Sequence, residues 1–294
     1  MATSDNKLFR EVTAQEMLAE FKKQSNYLAQ LSCEATEALK DASGAGLHNS
    51  FFRGKNLGSV LTAAQSAEIR AGTFKDLFVG DFWPMTVTYQ YKDANDVTQT
   101  VTITVNFRIA DCDYYLRSGD TECTAHHLVV VPDVNLYTAR MNAENKTEGA
   151  YVGSEMYTKN LERAKALITA AFGAGHILTH RVVLENAVTD GKPSGGGWFN
   201  STVELMTEAM VYGCRHFGSG VQDGGATVYY RYTVDKTQLN LFRHRPDLIS
   251  NRQWYWLRDV VNVACFANVS HYGYTYCNTA STSGGGVRPA FLIY

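Results

Sequence analysis

The chain ends with two stretches of large apolar side chains and arginine, W-Y-W-L-R-D at residues 254–259 and G-V-R-P-A-F-L-I-Y at residues 286–294. The segment between them has a different composition. Residues 259–286 carry one charge, Asp259, and contain no Lys, Glu, Gln, Met or Trp. At the composition of the whole chain, about four residues of these five uncommon types would be expected there.

The same segment places Tyr272, Tyr274 and Tyr276 at a spacing of two, which puts their side chains on one face of a strand. Small polar residues surround them. Tyr combined with Ser, Asn and Gly is typical of antibody-like binding surfaces, because Tyr offers rigid contact area and the small residues adapt their hydrogen bonds. An ordinary Tyr-rich strand, stabilised by cross-strand pairs, accounts for the pattern equally well.

The whole chain is also poor in charge and rich in aromatic residues. Its 294 residues include 27 Lys and Arg against 29 Asp and Glu, for a net charge of -2, and 17 Tyr. Near neutrality argues against a nucleic-acid binder that depends on phosphate contacts. The aromatic content of 12% excludes disorder, and the length suits about two domains.

Targeting and catalytic motifs are lacking. Residues 1–10 are polar, so we expect no signal peptide, and no apolar run is long enough for a membrane span. The six cysteines form no C-x-x-C pair, which favours scattered reduced thiols. Gly195–Gly197 is not followed by Lys and Ser or Thr, and neither G-x-S-x-G nor H-E-x-x-H occurs. The sequence therefore predicts no catalytic residues, no metal site and no cofactor.

The N-terminal part is predicted to be helical. Thr13 and Glu16 have capping-box spacing. Apolar residues then recur in heptads with one polar position, along Met17, Phe21, Gln24, Leu28, Leu31, Ala35 and Ala38. The pattern fits either a short coiled coil or an amphipathic helix packed on its own domain.

Further along, helices and strands alternate irregularly. We expect a helix from a Thr62 cap to Gly72, a hairpin of residues 85–92 and 97–109, a strand at 128–131, a helix over 154–172 and a strand at 177–184. A loop at 190–197 and a helix from residue 200 or 201 to Gly213, capped through Glu204, complete the prediction. The absence of a regular βαβ repeat favours the α+β class.

Several motifs resemble a family of C-type-lectin-like domains from tailed bacteriophages and prophages. The resemblance covers roughly residues 57–294 and is most specific in the last part of the chain. It lies in W-Y-W-L-R-D at 254–259, F-A-N-V at 266–269, Gly273, G-V-R-P-A at 286–290, and upstream in residues 72–74, 80–83, 197–201 and 238–242. It implies an N-terminal helical attachment and oligomerisation region (1–75), a β-rich region (76–150) and a C-type-lectin-like domain (151–294).

The resemblance also implies roles for individual residues. It assigns Trp254, Trp256, Arg258, Val287, Arg288 and Pro289 to the framework. It assigns ligand contact to the segment between, where we predict Asn262, Phe266, Asn268, Ser270, His271, Tyr272, Tyr274, Tyr276, Asn278 and Thr282. The E-P-N type motif of calcium-binding animal lectins is absent, so calcium-dependent sugar binding is not expected.

Several relatives in this family are diversified by retroelements that mutate template adenines, often in Asn codons of the AAC type. Changing only those adenines cannot create Lys, Glu, Gln, Met or Trp, which are the five types absent from the segment. We therefore expect a variable protein. A nearby template copy with Asn in place of these tyrosines would support this history, and a genome without a reverse transcriptase would contradict it.

The resulting hypothesis is a virion protein, made in the host cytoplasm, that binds a host-surface protein or glycan. It would act as a homo-oligomer, with a trimer favoured, attached to other virion proteins and binding weakly at each of several sites. An alternative is a capsid-decorating or tail protein that contacts only its virion neighbours. A third, enzymatic hypothesis rests on the likeness of some such folds to the formylglycine-generating enzyme, and would require Cys265 and Cys277 to work with copper.

Overall fold

A computed structural model describes residues 13–30, 44–93, 95–218 and 237–294. The chain forms two compact units, residues 1–43 and residues 44–294. In the first unit residues 13–30 are helical (α1), as predicted. Met17, Phe21 and Leu28 of the predicted heptad seam are exposed. Gln24 is exposed as well, and the seam positions Leu31, Ala35 and Ala38 lie outside the described residues.

The second unit contains short helices and many strands, which confirms the α+β class. Its helices are α2 (Ala45–His48), α3 (Ala63–Arg70), α4 (Leu161–Phe172, preceded by a π-helical turn, Met156–Asn160), α5 (Glu208–Tyr212) and α6 (Asn240–His244). Single 3-10 turns occur at Ala174–His176 and Pro246–Leu248. Its strands are β1 (Phe82–Lys92), β2 (Thr98–Cys112), β3 (Leu128–Pro132), β4 (Tyr137–Thr138), β5 (His180–Thr189), β6 (Lys192–Ser201), β7 (Val203–Leu205), β8 (Tyr255–Val260), β9 (Cys265–Val269), β10 (Thr275–Thr279), β11 (Gly286–Val287) and β12 (Pro289–Ile293).

Three sheets organise these strands. The first has the order β1-β2-β3-β12-β7 and is antiparallel throughout. The second has the order β10-β9-β8-β11-β4, and the third is the β5–β6 hairpin. The first sheet places β1, β2 and β3 from the predicted region 76–150 beside β7 and β12 from the predicted region 151–294. The boundary at residue 150 therefore does not separate two sheets.

An aromatic cluster forms the core between the first sheet and α4. Phe107 on β2 contacts Phe172 and Phe291 edge-on, with ring centroids 5.2 and 5.8 Å apart. Trp83 on β1 meets Phe172 at 5.9 Å in the same geometry. These rings are almost completely buried, and edge-to-face pairs stabilise a core beyond the area that they bury. The last strand, β12, is thus fixed in the centre of the unit.

Several predictions based on local signals are confirmed. Thr62 and Gln65 form both hydrogen bonds of the capping box, and α3 is followed by Gly72 with φ +69°. Helix α4 ends at Gly173, whose φ of +82° suits a residue without a Cβ. The predicted β1–β2 hairpin and strand β3 form as expected.

Two predictions are wrong. The stretch predicted as a loop at 190–197 lies largely in β6, because β5 pairs antiparallel with it, with two register shifts. The helix predicted to start at residue 200 or 201 begins only at Glu208, after Thr207, whose side chain accepts the Met210 N–H. Glu204 lies in β7 and accepts hydrogen bonds from Ser201 and Tyr151 in the interior instead of capping a helix.

Candidate binding surface

The predicted contact segment forms a hairpin at the edge of the second sheet. Strand β9 lies between β8 and β10, and β10 is the outermost strand. Residues 265–269 pair antiparallel with residues 275–279. The Ser270 N–H donates to the Tyr274 carbonyl at 2.8 Å and closes the turn between the strands. The hairpin is therefore held on its β9 side and faces outward on its β10 side.

The three tyrosines form a continuous exposed row along this hairpin. Tyr272 lies in the turn, Tyr274 precedes β10 and Tyr276 lies within it. Their side chains are 74%, 54% and 50% exposed, respectively. The rings of Tyr272 and Tyr274 stack with centroids 6.2 Å apart, and those of Tyr274 and Tyr276 meet edge-on at 6.3 Å. The row thus keeps its order even though only part of it is a strand.

The other predicted contact residues divide by exposure. Asn262 and His271 are exposed, and Asn278 and Thr282 are partly exposed. Phe266, Asn268 and Ser270 are buried, with at most 6% of their surface exposed. The face of β9 that carries these three side chains is covered, whereas the corresponding face of β10 is open.

Asn268 has an unusual environment for a buried amide. It lies directly opposite Tyr276 on β10 and opposite Trp256 on β8. Neither its Oδ1 nor its Nδ2 has a hydrogen-bond partner among the described residues. An unsatisfied buried polar group costs about 1–3 kcal/mol, so this position weakens the hairpin.

The framework residues hold the hairpin from below. Trp256 on β8 is fully buried and its Nε1 donates to the Ala139 carbonyl at 2.8 Å. The chain passes so close at Gly285 that a Cβ there would overlap the Trp256 indole. Arg288 is 2% exposed and donates to the carbonyls of Pro132, Leu248 and Ile249. These contacts join β8 to residues 139 and 285, and join residue 288, between β11 and β12, to β3 and to the turn at 246–249; together they form a rigid base.

A buried carboxylate links a β10 side chain to a neighbouring segment. Glu208, at the start of α5, is completely buried. Its Oε1 accepts the Thr275 hydroxyl at 2.5 Å, and its Oε2 accepts the N–H groups of His216 and Gly218 at 3.0 and 2.8 Å. Glu208 thereby places residues 216–218, including Phe217 (46% exposed), next to the start of β10.

Sequence reasoning missed Glu208, Thr275 and Phe217. The capping position of Thr207 marks the start of α5, but no pattern in the sequence indicates that Glu208 turns inward to bind a strand 67 residues away. The acidic residue directly after Thr207 could at most have indicated a helix start.

The two cysteines of the hairpin lie on the face opposite the tyrosine row. Cys277 pairs with Ala267 and Cys265 with Thr279, so the cysteines are diagonal neighbours. Burial, and to a lesser extent the Cys265 thiol, raises the pKa of Cys277. A thiol with a raised pKa is less ionised and a weaker nucleophile in the absence of a metal ion.

No set of three or more His, Cys, Asp or Glu side chains in the described ranges has an arrangement suited to a metal ion. None of the helices in the described part of the chain has the length and hydropathy that a membrane span requires. Comparison with known proteins identified no relatives: no family model matches the chain, and neither a curated protein nor a solved structure is significantly similar.

Proposed function

We propose that the protein is a bacteriophage virion protein whose C-terminal part is a C-type-lectin-like domain that binds a host-surface ligand. The observation that carries the proposal is the exposed row of Tyr272, Tyr274 and Tyr276 on an edge hairpin. Exposed aromatic side chains on a monomer commonly mark interaction sites, and Tyr is enriched among the residues that dominate binding energy.

The surroundings of the row support binding by contact area and hydrogen bonds. No residue between Asp259 and Arg288 has a charged side chain. Asp259 and Arg288 themselves are buried. Recognition at such a surface depends little on long-range charge, so we expect binding to change only weakly with salt. Asn262, His271, Asn278 and Thr282 complete the proposed contact set.

The rigid base below the hairpin supports variation at the surface. Trp256 and Arg288 make their contacts on the buried side, whereas the tyrosine rings contact one another and His271. Substitutions in the row therefore leave the framework intact, which is what a diversified binding protein requires. We leave Phe266, Asn268 and Ser270 out of the contact set because their side chains are covered.

Multivalency is part of the proposal. The apolar residues at heptad spacing in α1, Met17, Phe21 and Leu28, are exposed, and such a seam suits pairing with further copies of the chain. We propose a trimer, attached to other virion proteins through the N-terminal region. Several weak contacts to a cell surface would then act together.

A cell-binding experiment tests this function. The labelled protein is mixed with the bacterial strain on which the source phage grows, and bound label is measured by flow cytometry. We expect the combined variant Tyr272→Ser, Tyr274→Ser and Tyr276→Ser to lose binding. The control Val97→Ser removes an apolar side chain that is 53% exposed and lies outside the surface, and should bind normally.

A second measurement separates this proposal from the structural alternative. Immunogold labelling of purified particles should detect the protein on the virion in either case. If the protein is on the particle but wild type and triple variant bind cells equally, the domain serves virion structure. Absence from purified particles would contradict both.

A further inference from the structure

The outer edge of β10 carries main-chain groups that form no hydrogen bond with any of the described residues. The Tyr274 carbonyl and the Ala280 N–H both bond to the β9 side. Because main-chain direction alternates along an antiparallel strand, residues 275, 277 and 279 direct their N–H and C=O groups away from β9. The Thr279 carbonyl accepts the Thr282 N–H. No hydrogen bond from the described residues reaches the other five groups.

Natural proteins commonly protect such an edge, and within the described part of the chain this edge has few of the usual protections. Charged side chains, proline, bulges and a covering segment are the common devices. Residues 275–279 read T-Y-C-N-T and include neither a charge nor a proline, and they pair with β9 without a register shift. The edge is thus chemically suited to accept another strand.

The side chains on β10 offer contacts on both faces of such a strand. Tyr274 and Tyr276 project on one face, and Thr275 and Cys277 on the other. An added strand would place alternate side chains against the exposed tyrosine rings and alternate ones against Cys277, which is partly exposed. The five residues of β10 span about 17 Å, enough for about five residues of a partner.

We propose that the ligand of this surface is a protein, recognised through an extended, uncharged segment that adds to β10 as a further strand. This inference rests on the proposed function and names the partner's chemistry. Main-chain N–H and C=O groups that alternate along an edge are matched by the backbone of an extended peptide, which gives affinity while side-chain contacts give specificity. An oligosaccharide has no such regular alternation of donors and acceptors.

The experiment uses the full-length protein and linear peptides. A random peptide library is panned on the immobilised protein, and the tightest binder is synthesised and measured by calorimetry. Cys277→Pro removes the outward N–H at residue 277, and an edge strand tolerates proline at such a position. Cys277→Ser is the matched control, because it changes the same side chain and keeps the N–H.

We expect Cys277→Pro to weaken peptide binding by at least about tenfold, since it removes one hydrogen bond and leaves a peptide carbonyl unpaired. Cys277→Ser should stay within about twofold. A second measurement does not depend on the folding of a variant. N-methylation of the peptide backbone at every second position should abolish binding, and N-methylation at the positions between them should be tolerated.

The outcomes separate the two proposals. If peptide binding survives Cys277→Pro, or if N-methylation has no alternating effect, strand addition is wrong. If the tyrosine variants still lose cell binding in that case, the binding function stands without it. Failure of the library to yield any binder, together with competition of cell binding by host oligosaccharides, would also overturn the inference and favour a glycan.

Discussion

Replacing Arg288 tests whether the C-terminal segment around it acts as framework. The guanidinium is buried and makes five hydrogen bonds, to the carbonyls of Pro132, Leu248 (twice) and Ile249 and to the Tyr255 hydroxyl. It also lies over the rings of Phe242 and Tyr255, at 5.5 and 5.1 Å. One side chain therefore connects β3, the 246–249 turn, β8 and β12.

Arg288→Met keeps much of the apolar volume and removes every donor. The Leu248 carbonyl then has no partner among the described residues, whereas the Ile249 carbonyl keeps the Tyr255 hydroxyl at 3.0 Å. Each orphaned buried carbonyl costs about 1–3 kcal/mol. With one or two such groups and the lost ring contacts, we expect a loss of about 3–5 kcal/mol in the free energy of unfolding. Arg288→Lys should lose nearly as much, because one ammonium cannot reach all the acceptors.

Urea unfolding, followed by tryptophan fluorescence, measures the loss from the shift in midpoint. Arg245→Met is the matched control, because Arg245 forms a surface ion pair with Asp247 at 2.7 Å, with side chains 42% and 59% exposed. Such a pair contributes at most about 1 kcal/mol. If Arg288→Met costs no more than Arg245→Met, the buried hydrogen bonds do not stabilise the fold as argued.

The remaining predictions concern packing, charge and pH. Gly285→Ala should destabilise the fold by about 1–3 kcal/mol or more in urea unfolding, because a Cβ would overlap the Trp256 indole. The control Gly284→Ala should stay close to wild type, because the nearest atom to a Cβ there is 3.8 Å away. Glu208→Gln should speed amide hydrogen exchange at residues 216–218, since charge-assisted acceptors are roughly twice as strong as neutral ones. Unchanged exchange would show that the carboxylate does not order this segment. Burial raises the pKa of Asp111 to about 7, so between pH 4 and 7 the native state holds a proton that the unfolded chain has released. The free energy of unfolding should therefore fall as pH rises from 4 to 7, by up to about 4 kcal/mol. Asp111→Asn should flatten that decline, and an equally steep profile in the variant would exclude Asp111 as its source.

Much of the local structure could be predicted from the sequence, because the signals concerned act over a few residues. The capping box of Thr62 and Gln65 marks the start of one helix, and the glycine after Phe172 marks the end of another. Both signals are local, and both form as predicted. The alternation of apolar and polar residues in 85–109 predicts a hairpin with one buried face. In the structure that face packs against the core. The spacing of the three tyrosines likewise predicts a common exposed row.

The incorrect predictions share a physical cause. Glu204 has the spacing of a helix cap, but Tyr151, 53 residues away, offers it a buried hydroxyl at 2.7 Å, and β12 offers the 203–205 backbone a strand partner. The glycine-rich stretch 192–197 forms a strand because β5 pairs with most of it, despite two register shifts. In both places a distant partner outweighs the local preference.

By itself, the sequence determined the α+β class, the boundaries set by caps and alternation, and the uncharged, Tyr-rich character of the segment near the end. The tertiary structure alone decided which of those side chains reach solvent. Phe266, Asn268 and Ser270 belong to the same polar segment as Tyr274 and Tyr276, yet they are buried. The reason is position in the sheet: β9 has a neighbour on both sides, whereas β10 is an edge, and strand order depends on contacts between residues far apart in the chain.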